Sequence, residues 1–197
     1  MILGARVFYI LAYNFQYFLD NPEESIRIWN GGMSFHGGMI GGVIALFAVS
    51  RFKGQQLLRI TDLIATSIPL VLGFGRIANF INGELAGRPT NVPWAVIFPR
   101  YQDHIPRHPS QLYQAALEGF LLFAILYLSR SRLKQAGFQS ALFLLGYGLL
   151  RLAAEFFRNP DPQIGFLFGG MTMGQLLCLG MIALGVVILR KFTLRKS

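Results

Sequence analysis

Two arginines, two asparagines and a glutamate fall within the stretch Gly75-Arg76-Ile77-Ala78-Asn79-Phe80-Ile81-Asn82-Gly83-Glu84-Leu85-Ala86-Gly87-Arg88, which follows an apolar run from Leu63 to Phe74. At the centre of a spanning helix an ionisable group costs about 2.5–3.5 kcal/mol on insertion scales, and less near the interface, so such a cluster is a functional-site candidate by default. Arginine donates paired hydrogen bonds to phosphate from a planar fork and stays charged when desolvated. An anionic headgroup is therefore the chemistry these side chains suit. Arg76 and Asn79 are three apart and share a helix face. Arg151, Glu155 and Arg158 stand at i, i+4 and i+7, within about 60° of one another at roughly 100° per residue. Facing lipid, that stripe would be intolerable, so it should face the interior of a bundle. Histidine, with an unperturbed pKa of about 6.5, makes His36 the natural base for a thiol or hydroxyl.

The elements that must position these groups follow from composition. The chain has 197 residues, 53% hydrophobic and only 14% charged, with a mean hydropathy of +0.47. That is a polytopic membrane protein. Six apolar segments are candidate spans, at about 2–19, 34–50, 61–82, 109–129, 138–158 and 170–189. The first is the weakest, since it contains Arg6, Asn14 and Gln16. The connecting loops read as short, without repeats or linkers, so the expected fold class is all-α: a single transmembrane bundle over residues 1–197.

The net charge of +9 is distributed in a way that argues against nucleic acid. Arg51, Lys53 and Arg59 lie in one loop, Arg130, Arg132 and Lys134 in another, and Arg190, Lys191, Arg195 and Lys196 in the tail. The positive-inside rule places these loops and the C-terminus in the cytoplasm; with six spans the N-terminus is inside too. Asp20, Glu23, Glu24, Glu84, Asp103 and Asp161 then face outward. On this topology His36, the Arg76–Glu84 cluster, Arg107 to Tyr113, and Arg151 to Arg158 converge on the outer side, as in a reaction or binding chamber at the outer leaflet. No cationic n-region or cleavage site marks a signal peptide.

Each group also has a plainer reading. Gly37/Gly41 and Gly38/Gly42 are G-x-x-x-G pairs, suited to close helix packing or to making room for lipid beside His36. Arg76, Asn79 and Glu84 could form a structural network, and Arg151 could pair with Glu155. Arg107-His108-Pro109-Ser110-Gln111-Leu112-Tyr113 reads as a helix start, with Pro109 in the first turn, His108 or a neighbour capping, and Gln111 and Tyr113 as substrate contacts. Glu118 is an acid inside an apolar segment that needs a partner. The single cysteine, Cys178, sits mid-span and reads as a packing residue. Asn159-Pro160-Asp161-Pro162 is a turn by composition, and Gly174-Gln175 suggests packing with one interhelical hydrogen bond.

Together these residues resemble one family, the bacterial prolipoprotein diacylglyceryl transferases. The family signature G-R-x-[GA]-N-F-x-N-x-E-x-x-G is matched throughout Gly75 to Gly87. Ser34-Phe35-His36-Gly37-Gly38, Arg107 to Tyr113, Arg151 through Glu155 to Asp161, and Gly174-Gln175 match its other blocks in order. The resemblance implies transfer of a diacylglyceryl group from phosphatidylglycerol to the lipobox cysteine thiol of a prolipoprotein, with a thioether formed and glycerol 1-phosphate released. It implies a multi-pass protein of the bacterial cytoplasmic membrane and no metal or organic cofactor. His36, Arg76, Asn79, Glu84, Gly87, Arg151 and Glu155 fall on motif positions regarded as important. Seven spans are usual in the family, and Met1 falls where the second is already under way, so its first helix and part of the second are expected to be missing here.

On this reading the substrate supplies the nucleophile. His36 assists deprotonation of the thiol, Arg76 and Arg151 stabilise the departing phosphate, Asn79 and Glu84 orient Arg76 and the headgroup hydroxyls, and Glu155 holds Arg151. Asn82, Gly87, Gln111, Tyr113 and Arg158 complete the expected substrate contacts. An arginine-polarised thiol without proton transfer to His36 is the alternative chemistry. A transporter for an anionic solute or lipid, or a non-catalytic chain retaining the lipid pocket, are the alternative classes.

Overall fold

A computed structural model describes residues 1–54, 56–159 and 171–194; the side chains at 30, 35, 36, 39, 132–134, 173 and 191–194 lie outside that description. The chain divides into two compact units, Met1–Ile60 and Thr61–Ser197.

In the first unit, α1 (Ile2–Tyr13) and α2 (Phe15–Asp20) are separated by Asn14, at φ −145°. The expected span 2–19 is therefore broken: α1 has 12 residues and reaches about 18 Å, short of a hydrocarbon core about 30 Å thick. Arg6 explains the polar interruption. Its guanidinium donates to the carbonyl oxygens of Glu24, Ser25, Arg27, Gly31 and Gly32 and lies over the Phe18 ring. It therefore folds the following loop back onto α1. Next comes α3 (Phe35–Lys53), whose N-cap Ser34 accepts from the Gly37 amide. A Cβ on Gly37 would overlap the Gly4 carbonyl, and one on Gly4 would strike Gly37 and Gly41. The G-x-x-x-G pair Gly37/Gly41 thus packs directly against α1, the first of the two readings it allowed.

In the second unit, α4 (Leu57–Ile81) carries a narrow buried stripe of Asp62, Ala65, Pro69 and Gly73, while Leu63, Val71, Phe74 and Ile81 are exposed. Small or polar residues inside and large apolar ones outside is the pattern of a helix solvated by lipid. A second long helix consists of α5 (Ser110–Gln114), a π-helical turn (Ala115–Leu121) and α6 (Leu122–Leu128). It is followed by α7 (Phe138–Glu155) and α8 (Met173–Leu194), which pack along Gly148 and Gly185. Cys178 is buried there, its carbonyl against Gly148, in the packing role expected of it. Among the described residues, the stretches Leu57–Ile81 and Ser110–Ser131 are long and apolar enough to cross a bilayer.

Residues 82–109 are not the short loop expected. They fold into a head with a two-residue antiparallel ladder, β1 (Val96–Ile97) on β2 (Pro106–Arg107), and isolated bridges Pro89–Arg107 and Gly87–Arg158. Among the described residues, this ladder is the one sheet and the other regular elements are helical.

Asp62 joins the ends of α4 and α7. Its buried carboxylate accepts from the backbone amides of Gly137 (2.7 Å) and Ser140 (2.8 Å) and from the Ser140 hydroxyl (2.8 Å). It is an N-cap supplied by another helix, negative charge at a positive helix end. Asp62→Ala should cost about 1–2 kcal/mol and lower the unfolding midpoint in detergent well beyond Thr61→Ala.

Candidate active site

The close approach of Gly73 on α4 to Gly119 on the π-turn sets the site. The two backbones touch, and a Cβ on Gly119 would lie 2.6 Å from the Gly73 Cα. Three residues beyond Gly73 is Arg76; one before Gly119 is Glu118. The contact brings Arg76 within electrostatic reach of Glu118, alongside Arg151 and Tyr147. Arg76 is half-buried and makes no hydrogen bond or ion pair among the described residues.

Arg151 is buried and held at both ends of its fork. Nη2 meets Glu155 Oε2 at 2.7 Å, and Nη1 meets Glu118 Oε1 at 3.5 Å. The partner that Glu118 required is therefore Arg151, one helix away. Arg158 approaches Glu155 Oε2 at 3.9 Å, so the i, i+4, i+7 stripe converges on one carboxylate.

Glu155 is fixed in turn by the start of α8. The Thr172 hydroxyl donates to Glu155 Oε1 (3.0 Å) and accepts from the Gln175 amide (3.2 Å), while Gln175 Oε1 accepts from the Thr172 amide (3.0 Å). This is a capping box, T-x-x-Q, and its signal was present in Thr172-Met173-Gly174-Gln175. Gln175 thus bonds within its own helix start, in place of the expected interhelical bond. Gly174 leaves room for the carboxylate, since a Cβ there would come 2.9 Å from Glu155 Oε1. Thr172 is the site residue that motif reading alone did not single out.

Asn79 and Glu84 do not orient Arg76. Asn79 Nδ2 donates to Glu84 Oε2 (3.3 Å), and Glu84 Oε1 pairs with Arg100 (2.8 Å). An open cavity of about 380 Å³ lined by Glu84, Leu85, Arg100 and Tyr101 lies beside that pair. Glu84 turned towards Arg100 because the chain reverses at Gly83 and Leu85, both at positive φ. Its backbone carbonyl accepts from buried Gln111 (2.6 Å), whose Oε1 has no partner among the described residues. Gln111 therefore joins the head to α5. Asn82 is exposed at the end of α4.

Gly87 is the crossing point of the head. Its amide donates to the His108 carbonyl (3.0 Å), and a Cβ would fall 2.5 Å from the Phe157 oxygen and 2.6 Å from that of His108. Packing accounts for this glycine. His108 does not cap α5: its ring packs edgewise on Tyr113 and Phe157, and the N-cap is Pro109, whose side chain has no polar atom to offer. The Tyr113 hydroxyl accepts from Trp94 Nε1 (2.6 Å) and lies 3.3 Å from His108 Nδ1. His36 lies in the first turn of α3, its side chain outside the described ones, as is the 160–162 part of the expected turn.

A cluster of arginines and carboxylates below a folded head, on helices with lipid-type packing, agrees with what a comparison of sequences finds. The family model for prolipoprotein diacylglyceryl transferase matches residues 1–190. The chain belongs to the prolipoprotein diacylglyceryl transferase family. It is 53% identical over 192 residues to the phosphatidylglycerol–prolipoprotein diacylglyceryl transferase of Azospirillum brasilense, covering 94% of this chain and 71% of that protein. It is 50% identical to the one of Methylococcus capsulatus (100% and 75% covered) and 49% identical to that of Methylocella silvestris (95% and 70%). Membership makes this a membrane transferase, and the apolar outer face of α4 agrees with that.

Two outcomes follow for this transferase. Gly87→Ala should destabilise the head by about 1–3 kcal/mol through overlap with two carbonyl oxygens, read as faster amide exchange over residues 86–108. In the head, the Arg107 hydrogen bond, and after it the Ile105 amide, hold the Asp103 carboxyl below the usual carboxylate range. A lowered value gives stability that is present above the ordinary aspartate pKa and lost as pH falls through the lowered one. Protection of the Ile105 amide, which donates to Asp103 (3.1 Å), should persist through mild acid and fall only in stronger acid. Asp103→Asn should remove that step.

Proposed function

We propose that the chain transfers the diacylglyceryl group of phosphatidylglycerol to the lipobox cysteine thiol of a prolipoprotein, through a site near the outer leaflet of a multi-pass bundle with a cytoplasmic C-terminus. The relatives carry the names of both substrates. The observation that carries the reading is Arg76: half-buried, without a hydrogen-bonding partner among the described residues, and close to a second arginine tethered by carboxylates. A half-buried cation left unbonded has donors open to a ligand, and a phosphodiester supplies the matching acceptor oxygens.

The thiol gives up its proton, a step for which the sequence offers His36 as the base. The sulfur attacks the glycerol carbon that bears the phosphate ester, the C–S bond forms, and the C–O bond breaks with its electrons on the phosphate. Arg76 and Arg151 carry that charge, and Glu155, held by Thr172, keeps Arg151 aimed. Charge-directed donors in a site poor in water are worth several kcal/mol. Arg158, Asn79, Asn82, Gln111, Tyr113 and Gly87 act around this centre, the last three through the fold of the head. A multi-pass bundle with an outer-facing site is supported by the alternating basic loops.

Incubation of the purified chain with a lipobox peptide and phosphatidylglycerol should add a diacylglyceryl mass to the cysteine. Arg76→Ala should reduce the rate by about 100-fold or more. Absence of the adduct with the unmodified chain overturns the reading.

A further inference from the structure

The two ends of the Arg151 fork are held unequally. Nη2 meets Glu155 at 2.7 Å, and that carboxylate is fixed by Thr172 and backed by Gly174. Nη1 meets Glu118 at 3.5 Å, the outer limit of a hydrogen bond. Glu118 is fully buried, and its Oε2 has no hydrogen-bond partner among the described residues. Glu155 Oε2 also lacks a hydrogen-bond partner among the described residues, but Glu155 has the short ion pair and the Thr172 hydroxyl, whereas Glu118 has the long contact and Tyr147 beside it. A buried carboxylate held so loosely to its arginine needs a reason, because each unsatisfied group in a dry interior is expensive. It also sits on a π-helical turn, a wide turn that recurs at functional sites.

The charge balance supplies a reason. Arg76, Arg151 and Arg158 face Glu118 and Glu155. Three cations against two carboxylates leave one positive charge, which matches a phosphodiester monoanion. The phosphomonoester that leaves is more highly charged, and the same arginines would hold it more tightly than the substrate. A resident carboxylate that competes for Nη1 opposes this trapping.

We propose that Glu118 is an exchangeable counter-ion: the lipid phosphate displaces it from Arg151 Nη1, and its return helps expel the phosphorylated product. This rests on the reading above, in which Arg151 receives the phosphate. Glu118 acts through Arg151 and is a positioning residue. Glutamine at this position keeps the oxygen that faces Nη1 and removes only the charge, so the arginine stays in place while the competitor is lost.

The test is inhibition of diacylglyceryl transfer by added glycerol 1-phosphate, in the unmodified chain, E118Q and E118D. The inhibition constant should fall by at least about tenfold in E118Q and by less in E118D, whose shorter carboxylate still competes from farther away. A purely structural role moves stability and kcat but not this constant in that direction. An unchanged or raised constant in folded E118Q overturns the proposal; if E118Q does not fold, an unchanged constant in E118D does so. Should the unmodified chain form no thioether, the functional reading fails separately, and calorimetric titration of glycerol 1-phosphate into the same proteins reads the same ratio.

Discussion

Arg151 is the point on which the second unit turns. A guanidinium so deeply buried has to find acceptors for its donors, and here each element around it contributes to that. Its own helix supplies Glu155 one turn away, the π-turn supplies Glu118, and the start of α8 supplies the hydroxyl that holds Glu155. Removing any one partner leaves the others with an uncompensated charge, which is why breaking buried pairs costs far more than the pairs themselves are worth.

Small residues make the arrangement possible. Gly73 and Gly119 let α4 and the π-turn touch, so that Arg76 comes near Glu118. Gly174 leaves space for the Glu155 carboxylate, and Gly87 lets three backbone segments cross in the head. In lipid, apolar surface gives helices no reason to associate, so close backbone contact and internal polar bonds must do so. The remote cap from Asp62 is another such bond, tying the far ends of α4 and α7.

The first unit shows the opposite use of the same residue type. Arg6 is as buried as Arg151, yet its donors are taken by backbone carbonyls and its plane covers Phe18. It has nothing left to offer a ligand. Arginine in an apolar helix is thus ambiguous until its donors are counted: Arg6 is saturated, Arg151 is held by carboxylates of unequal grip, and Arg76 is open.

The sequence by itself determined the membrane class, the helices from residue 34 onward to within a few residues, and which polar residues are candidates for a site. Those depend on composition, on periodicity and on the cost of charge in apolar runs, all of which are local. It also showed that Arg151 and Glu155 share a face, because i and i+4 are neighbours on any helix. Only the tertiary structure decided which carboxylate serves which arginine. Glu84 lies eight residues from Arg76 in the chain but pairs with Arg100, because positive-φ turns at Gly83 and Leu85 swing it into the head. Glu118 and Thr172 lie far from Arg151 in sequence and reach its cluster through helix crossings set by glycine contacts. The capping box was written in the chain, but the carboxylate it would hold was not, since a hydroxyl's second partner comes from whichever helix packs across it.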